Sequence, residues 1–140
     1  MKPTRKDIEI MAPVGSWESL AAALNAGADA VYFGVGKLNM RSKSAANFNL
    51  NDLREIVRRA HARSVKTYLT INTVIYDDEL GQMREVIDAA RSENVDAVIV
   101  SDQAAVINAS SIGMPVHIST QSNISNSETL KFYSQLADTV

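Results

Sequence analysis

The polar residues of this chain collect where apolar runs give way to loops. Gly34, Gly36, Asn39 and Arg41, then Asn47, follow the run ending at Phe33. Asn72 and Thr73 follow Ile71, Ser101, Asp102 and Gln103 follow Val100, and Thr120, Gln121 and Asn123 follow Ser119. Amides and hydroxyls with one cation, Arg41, suit hydrogen-bonded recognition of a polar ligand that carries negative charge. His117, inside the last apolar run, is a group that could orient such a ligand. The candidate substrate-binding set is therefore Asn39, Arg41, Asn47, Asn72, Asp102, Gln103, His117, Thr120, Gln121 and Asn123. No catalytic residue and no metal ligand is assigned. The sequence contains no His-Glu-x-x-His, no Gly-x-Ser-x-Gly and no cysteine, so no protease or metalloenzyme constellation can be assembled from it.

Several residues of this kind also have a plainer explanation. Ser16, Asp102 and Ser125 are accounted for by helix capping. Gly34-x-Gly36 lacks the third glycine of the dinucleotide fingerprint and reads as turn glycines. His117 fits a satisfied core histidine as well as a ligand-orienting one. His61 sits near Arg58, Arg59 and Arg63 and reads as a solvated surface residue. The acids Asp77, Asp78 and Glu79 open a helix, where the macrodipole explains them. Arg41 stands apart because it lies in a long loop of the kind that binds. Asn72, Gln121 and Asn123 stand apart because no capping role accounts for them and buried amides need partners.

The elements that must position these residues alternate between strand and helix. Expected strands cover Ile8–Ala12, Ala30–Phe33, Lys66–Asn72, Ala97–Val100 and Pro115–Ser119. Between them run helical stripes. The first starts at Ser16 and ends at Gly27; the second carries Leu50, Leu53, Ile56, Val57 and Ala60. The third, opened by Asp77 or Asp78, carries Leu80, Met83, Ile87 and Ala90, and the fourth runs from Asp102 to Gly113. A last helix opens on a Ser125/Glu128 capping box. The stretch from Lys37 to Asn49 is expected to be a long polar loop. Asp-x-Val recurs at Asp29-Ala30-Val31, Asp96-Ala97-Val98 and Asp138-Thr139-Val140. The first two copies lead into strands, so the third is expected to stand on the threshold of a sixth.

Alternating strands and helices imply an α/β fold with a parallel sheet. A flavodoxin-type open sheet fits the length of 140 residues, whereas a (β/α)8 barrel needs about 250. Strand faces favour the barrel. Leu69 and Ile71 oppose Tyr68, Thr70 and Asn72, and Val116 and Ile118 oppose His117, Ser119 and Gln121. An open doubly wound sheet wants apolar residues on both faces, while a barrel carries helices on one. The expectation is one partial TIM-like domain over 1–140, truncated after five or more βα units. Its unpaired strand edges would make it prone to self-association. The net charge of -2 and 46% apolar content exclude a disordered chain and argue against a polycationic one. No apolar run approaches the roughly 18 residues of a membrane helix, and the amino-terminus has no signal-peptide core, so a cytoplasmic location is expected.

In order along the chain, Met11-Ala12-Pro13-Val14-Gly15-Ser16, Ala26–Gly34, Arg41, Asn47-Phe48, Val100–Gln103 and His117–Asn123 resemble the opening of the collagenase-like peptidase family (peptidase class U, family 32). The resemblance implies a TIM-like barrel. It implies a divided set of activities: collagen-degrading proteases, hydroxylation of tRNA wobble uridine or of ribosomal RNA, and ubiquinone biosynthesis. The layout looks most like the tRNA-hydroxylation subgroup and its relatives named as peptidases. Several members carry an iron–sulfur cluster on cysteines, which here would have to lie beyond Val140. Three readings follow: a peptidase whose strand-end loops bind a polar substrate, an RNA-hydroxylation factor, and a non-catalytic module that binds a small ligand. The expected substrate is a polar small molecule, a peptide or RNA, and no membrane partner is expected.

Overall fold

The computed structural model describes residues 4–40, 42 and 47–140, with every side chain among them but that of Lys6. Five parallel strands lie side by side in chain order: β1 (Met11–Pro13), β2 (Ala30–Gly34), β3 (Lys66–Ile71), β4 (Ala97–Val100) and β5 (Val116–Ile118). After each comes a helix: α1 (Trp17–Asn25), α2 (Leu53–His61), α3 (Leu80–Ser92), α4 (Gln103–Ser111) and α5 (Ser127–Tyr133). A flavodoxin-type sheet reverses strand order at a switch point; this consecutive order does not, and it is the order of a barrel wall.

Strand register explains why one face is greasy and the other polar. Val31, Phe33, Leu69, Ile71, Val98, Val100 and Val116 share one core with Leu20, Leu53, Ile56, Met83, Ile87 and Val106 of the helices. Each fully buried Leu, Ile or Phe in that layer is worth about 1.5–3 kcal/mol. The alternate residues form the other face, where Ala30, Tyr68 and Ala97 pack with Tyr32 and Ile99. Pairing runs across this face as Gly34 to Thr70, Thr70 to Ile99 and Ile99 to His117. The fold is therefore α/β and TIM-like, with its helices on the outside of the sheet.

Helix ends follow local chemistry. Ser16 caps α1 by accepting the Ser19 N–H at 3.1 Å, and the Ser19 hydroxyl accepts the Ser16 N–H in return. Four helices stop on a left-handed residue: Gly27 after α1, Ser64 after α2, Asn94 after α3 and Gly113 after α4. Only two of the four are glycine, so the other two stops carried no glycine signal. The start of α5 differs from expectation. Asn126, not Ser125, is its cap, with Asn126 Oδ1 accepting the Thr129 N–H at 2.9 Å. The start of α3 differs too: Asp77–Glu79 form a 3-10 turn closed by Glu79, which accepts the Tyr76 N–H at 3.0 Å. β1 begins later than expected and includes Pro13. With no N–H to give, proline is tolerated there on an outer strand.

The repeated aspartate has a physical role. Asp29 Oδ2 accepts the Ile10 N–H at 2.7 Å, Asp96 Oδ2 accepts the Thr67 N–H at 2.7 Å, and Asp138 Oδ2 accepts the Val116 N–H at 2.8 Å. Each carboxylate thus clamps the strand before it at the point where the next strand begins. The third clamp carries the chain into pairing with β5: Ile118 donates to the Thr139 carbonyl at 2.8 Å, and His117 faces Thr139 in a parallel bridge. The expected start of a sixth strand is present.

Candidate substrate site

In barrels of this order the strand carboxyl ends hold the functional site. There the polar face of the sheet surrounds a cavity of about 280 Å³, lined by Met11, Tyr32, Thr70, Asn72, Ile99, His117, Ile118, Ser119, Thr120 and Thr139. Three of the expected site residues, Asn72, His117 and Thr120, meet in it. Larger hollows lie elsewhere: one between α1 and α2, and three near the strand amino ends, around Glu9, Asp29 and Lys66, around His61 and Asp96, and around Met114 and Asp138. Their positions set them apart from the end of the sheet where substrates bind.

Each wall of the cavity is built by strand alternation. Thr70, inward on β3, donates its hydroxyl to the Phe33 carbonyl at 3.0 Å. Asn72, two residues on, accepts the Met40 N–H at 3.1 Å through Oδ1, and its amide nitrogen has no partner among the described residues. His117, half-buried on β5, stands edge-on to the Tyr68 ring, with centroids 4.8 Å apart. No described residue hydrogen-bonds its ring nitrogens. Burial, acting first, lowers its pKa and outweighs the opposing pull of Glu9 and Asp138, so the neutral imidazole is favoured.

The other expected residues serve the fold. Asn39 is buried and donates to the Val35 and Gly36 carbonyls at 3.3 Å each. Its side chain occupies the space a Cβ on Gly34 would need, which is why that position is glycine. Asn47 also donates to the Gly36 carbonyl. The stretch expected to be a polar loop is thus partly core. Leu38 is buried in it, and Phe48 stacks edge-on against Trp17 and Phe33. Asp102 caps α4 through the Ala104 N–H and holds the Ile75 N–H at 3.1 Å. Gln103 reaches the Tyr133 hydroxyl at 3.1 Å, tying α4 to α5. Gln121 lies in a 3-10 turn, so strand alternation does not reach it, and its N–H is held by Ser119 Oγ. Asn123 ends that turn in the left-handed conformation, with its amide on the Gln121 carbonyl. Arg41 lies outside the described residues.

Residue-by-residue reading missed Tyr32 as a wall of the cavity. The period of two along β2 could have placed it, because Tyr32 pairs with the inward Tyr68. It also missed the group beneath His117. Tyr68 donates to Glu9 Oε1 at 2.8 Å, and Lys66 Nζ donates to Glu9 Oε2 at 2.9 Å. Burial works to raise the Glu9 pKa, but these two donors prevail and hold it below the usual range. His61 is exposed, as the surface reading expects, and its Nε2 lies 2.8 Å from Asp96 Oδ2. Among the described residues no group of three or more acidic, histidine or cysteine side chains could hold a metal ion. With no cysteine in the sequence, these residues supply no thiolate for an iron–sulfur cluster.

The peptidase family U32 profile matches residues 15–138. The chain belongs to peptidase family U32. Among its U32 relatives, a Collagenase of Porphyromonas gingivalis is 58% identical over 134 residues, covering 96% of this chain and 32% of the relative. A tRNA hydroxylation protein P of Helicobacter pylori is 36% identical over 121 residues, covering 85% of this chain and 29% of the relative. The chain therefore spans about a third of the length of these U32 relatives. A solved structure of a U32 peptidase superposes with a TM-score of 0.76 at 16% identity, covering 98% of this chain and 58% of that one, which supports the fold. No helix among the described residues is long and apolar enough to cross a membrane.

Proposed function

We propose that these residues form one wall of a U32 barrel that binds a pyrimidine of RNA and acts in its hydroxylation. The observation that carries this reading is the make-up of the cavity. The His117 ring offers a flat aromatic face, and Asn72, Thr70 and Thr120 offer hydrogen-bonding groups around about 280 Å³. A flat, polar base needs that pairing, since stacking holds its face and an amide reads its edge. The relative named for tRNA hydroxylation supports the same reading. On this reading the 140 residues are a partial-barrel domain, completed by residues such as those that make its relatives three times as long.

A second reading, peptide hydrolysis, is favoured by the 58% identity to a protein named Collagenase. A strain lacking the full-length protein separates the two. Wild-type protein should restore hydroxylated pyrimidine in digests of tRNA or ribosomal RNA, read by mass spectrometry, and Asn72→Ala should restore less. Gelatin cleavage by the purified full-length protein, with RNA unchanged in the deletion strain, overturns the first reading in favour of the second.

A further inference from the structure

Below the cavity, toward the strand amino ends, four side chains from separate parts of the chain are linked in series. Lys66 on β3 and Tyr68, two residues on, both donate to Glu9, which lies just before β1. Tyr68 in turn packs edge-on against His117 of β5. Lys66 and Glu9 are partly exposed, whereas Tyr68 is buried at 4% exposure. The chain of contacts therefore runs from the rim of the sheet inward to the one histidine that lines the cavity. A buried tyrosine needs a partner for its hydroxyl, and Glu9 supplies it, which fixes the Tyr68 ring. An edge-to-face pair transmits that fixing, because its geometry is directional. Nothing else in the described residues holds the His117 nitrogens.

We propose that Glu9, Lys66 and Tyr68 are positioning residues that fix the His117 ring so that a free nitrogen is presented to the substrate cavity. The proposal rests on the reading of that cavity as the substrate site. The charged groups that act on His117 are Glu9, Asp138 and Lys66, from β1's approach, the end of the chain and β3. Glu9 and Asp138 favour the protonated ring; Lys66 opposes it. Removing the Glu9 charge should therefore lower the pH at which His117 titrates.

The test is nitrogen-15 NMR of the full-length protein, with His61, which lies against Asp96 instead, as an internal control. Glu9→Gln should move the His117 titration midpoint down and leave the His61 signals unmoved at neutral pH. Tyr68→Leu should remove the ring-current displacement of the His117 carbon-bound protons. Unchanged His117 signals in the near-isosteric Glu9→Gln variant overturn the proposal, as does an upward shift. If Tyr68→Leu does not fold, Glu9→Gln alone decides. Addition of uridine monophosphate is a separate arm. Wild-type His117 signals should move and His61 signals should not, and Glu9→Gln should bind the nucleotide several-fold more weakly. A nucleotide that moves neither histidine counts against the pyrimidine reading, while the titration still decides the positioning network.

Discussion

Asp96→Ala tests whether the repeated aspartates act as clamps. Asp96 Oδ2 accepts from the Thr67 N–H at 2.7 Å, from the Thr67 hydroxyl at 2.9 Å and from His61 at 2.8 Å. Thr67 is fully buried at 0% exposure. Truncating the carboxylate strands that N–H in the core, a loss of about 2 kcal/mol. The His61 contact adds little, because both partners are partly open to water. For a chain of 140 residues this corresponds to a fall in Tm of about 6 °C. Asp29→Ala, at a clamp whose partner Ile10 is half exposed, should fall less. The assay is a thermal melt of both variants by circular dichroism at pH 7. Equal falls, or an Asp96→Ala melt on top of wild type, would refute the clamp argument. The effect also has a pH signature. Burial raises the Asp96 pKa, but the His61 and Thr67 hydrogen bonds outweigh it and the folded value is lowered. The stabilisation is therefore present above the unfolded value of about 3.9 and is lost as pH falls through the folded value. The gap between wild type and Asp96→Asn should close in acid below about pH 4.

Three further outcomes follow from other contacts. Asn126→Ala should destabilise by about 1 kcal/mol through loss of the α5 cap, while Ser125→Ala leaves the melt unchanged; denaturant midpoints distinguish them. Gly34→Ala forces the Asn39 side chain from its place under the 37–49 loop and should loosen that loop, read as faster amide exchange at Val35 and Gly36 than in wild type. Asn72→Ala removes both the Met40 anchor and a cavity amide and should lower kcat/KM of the full-length protein about tenfold, with the melt little changed.

Much of the fold was legible because its signals are local. The one-sided polarity of β3 and β5 predicted helices on a single face, and the Asp-x-Val repeat marked the entries to β2, β4 and the segment that pairs with β5. Two of the helix stops, Ser64 and Asn94, were not legible, since serine and asparagine reach the left-handed region without a glycine to announce it. The capping of α5 was misplaced by one residue because Ser125 and Asn126 are equally good caps by type. The site was less legible than the fold. Ten polar residues at strand ends look alike in sequence, and of the nine that are described, Asn72, His117 and Thr120 line the cavity.

What separates Asn72 and His117 from Asn39, Asn47, Asp102 and Gln103 is how the fold uses their hydrogen-bonding capacity. Asn39 and Asn47 converge on the Gly36 carbonyl, Asp102 is shared between the Ala104 and Ile75 N–H groups, and Gln103 is engaged by Tyr133. A group so engaged must break a protein contact before it can bind anything else, and that contact is worth about 1 kcal/mol. Among the described residues the Asn72 amide nitrogen and the His117 ring nitrogens have no partner beside open space, so a ligand there adds bonds without breaking any of those described. The same accounting explains the two ends of the sheet. At the amino ends the Asp29, Asp96 and Asp138 carboxylates are consumed in holding strands together, which makes that end rigid. Toward the cavity, His117 is held from below by the buried Tyr68 ring, which Glu9 fixes in turn, and the half-exposed His117 ring lines the open space. A binding wall needs that combination, because a side chain that is both fixed and unsatisfied loses little entropy when a ligand arrives.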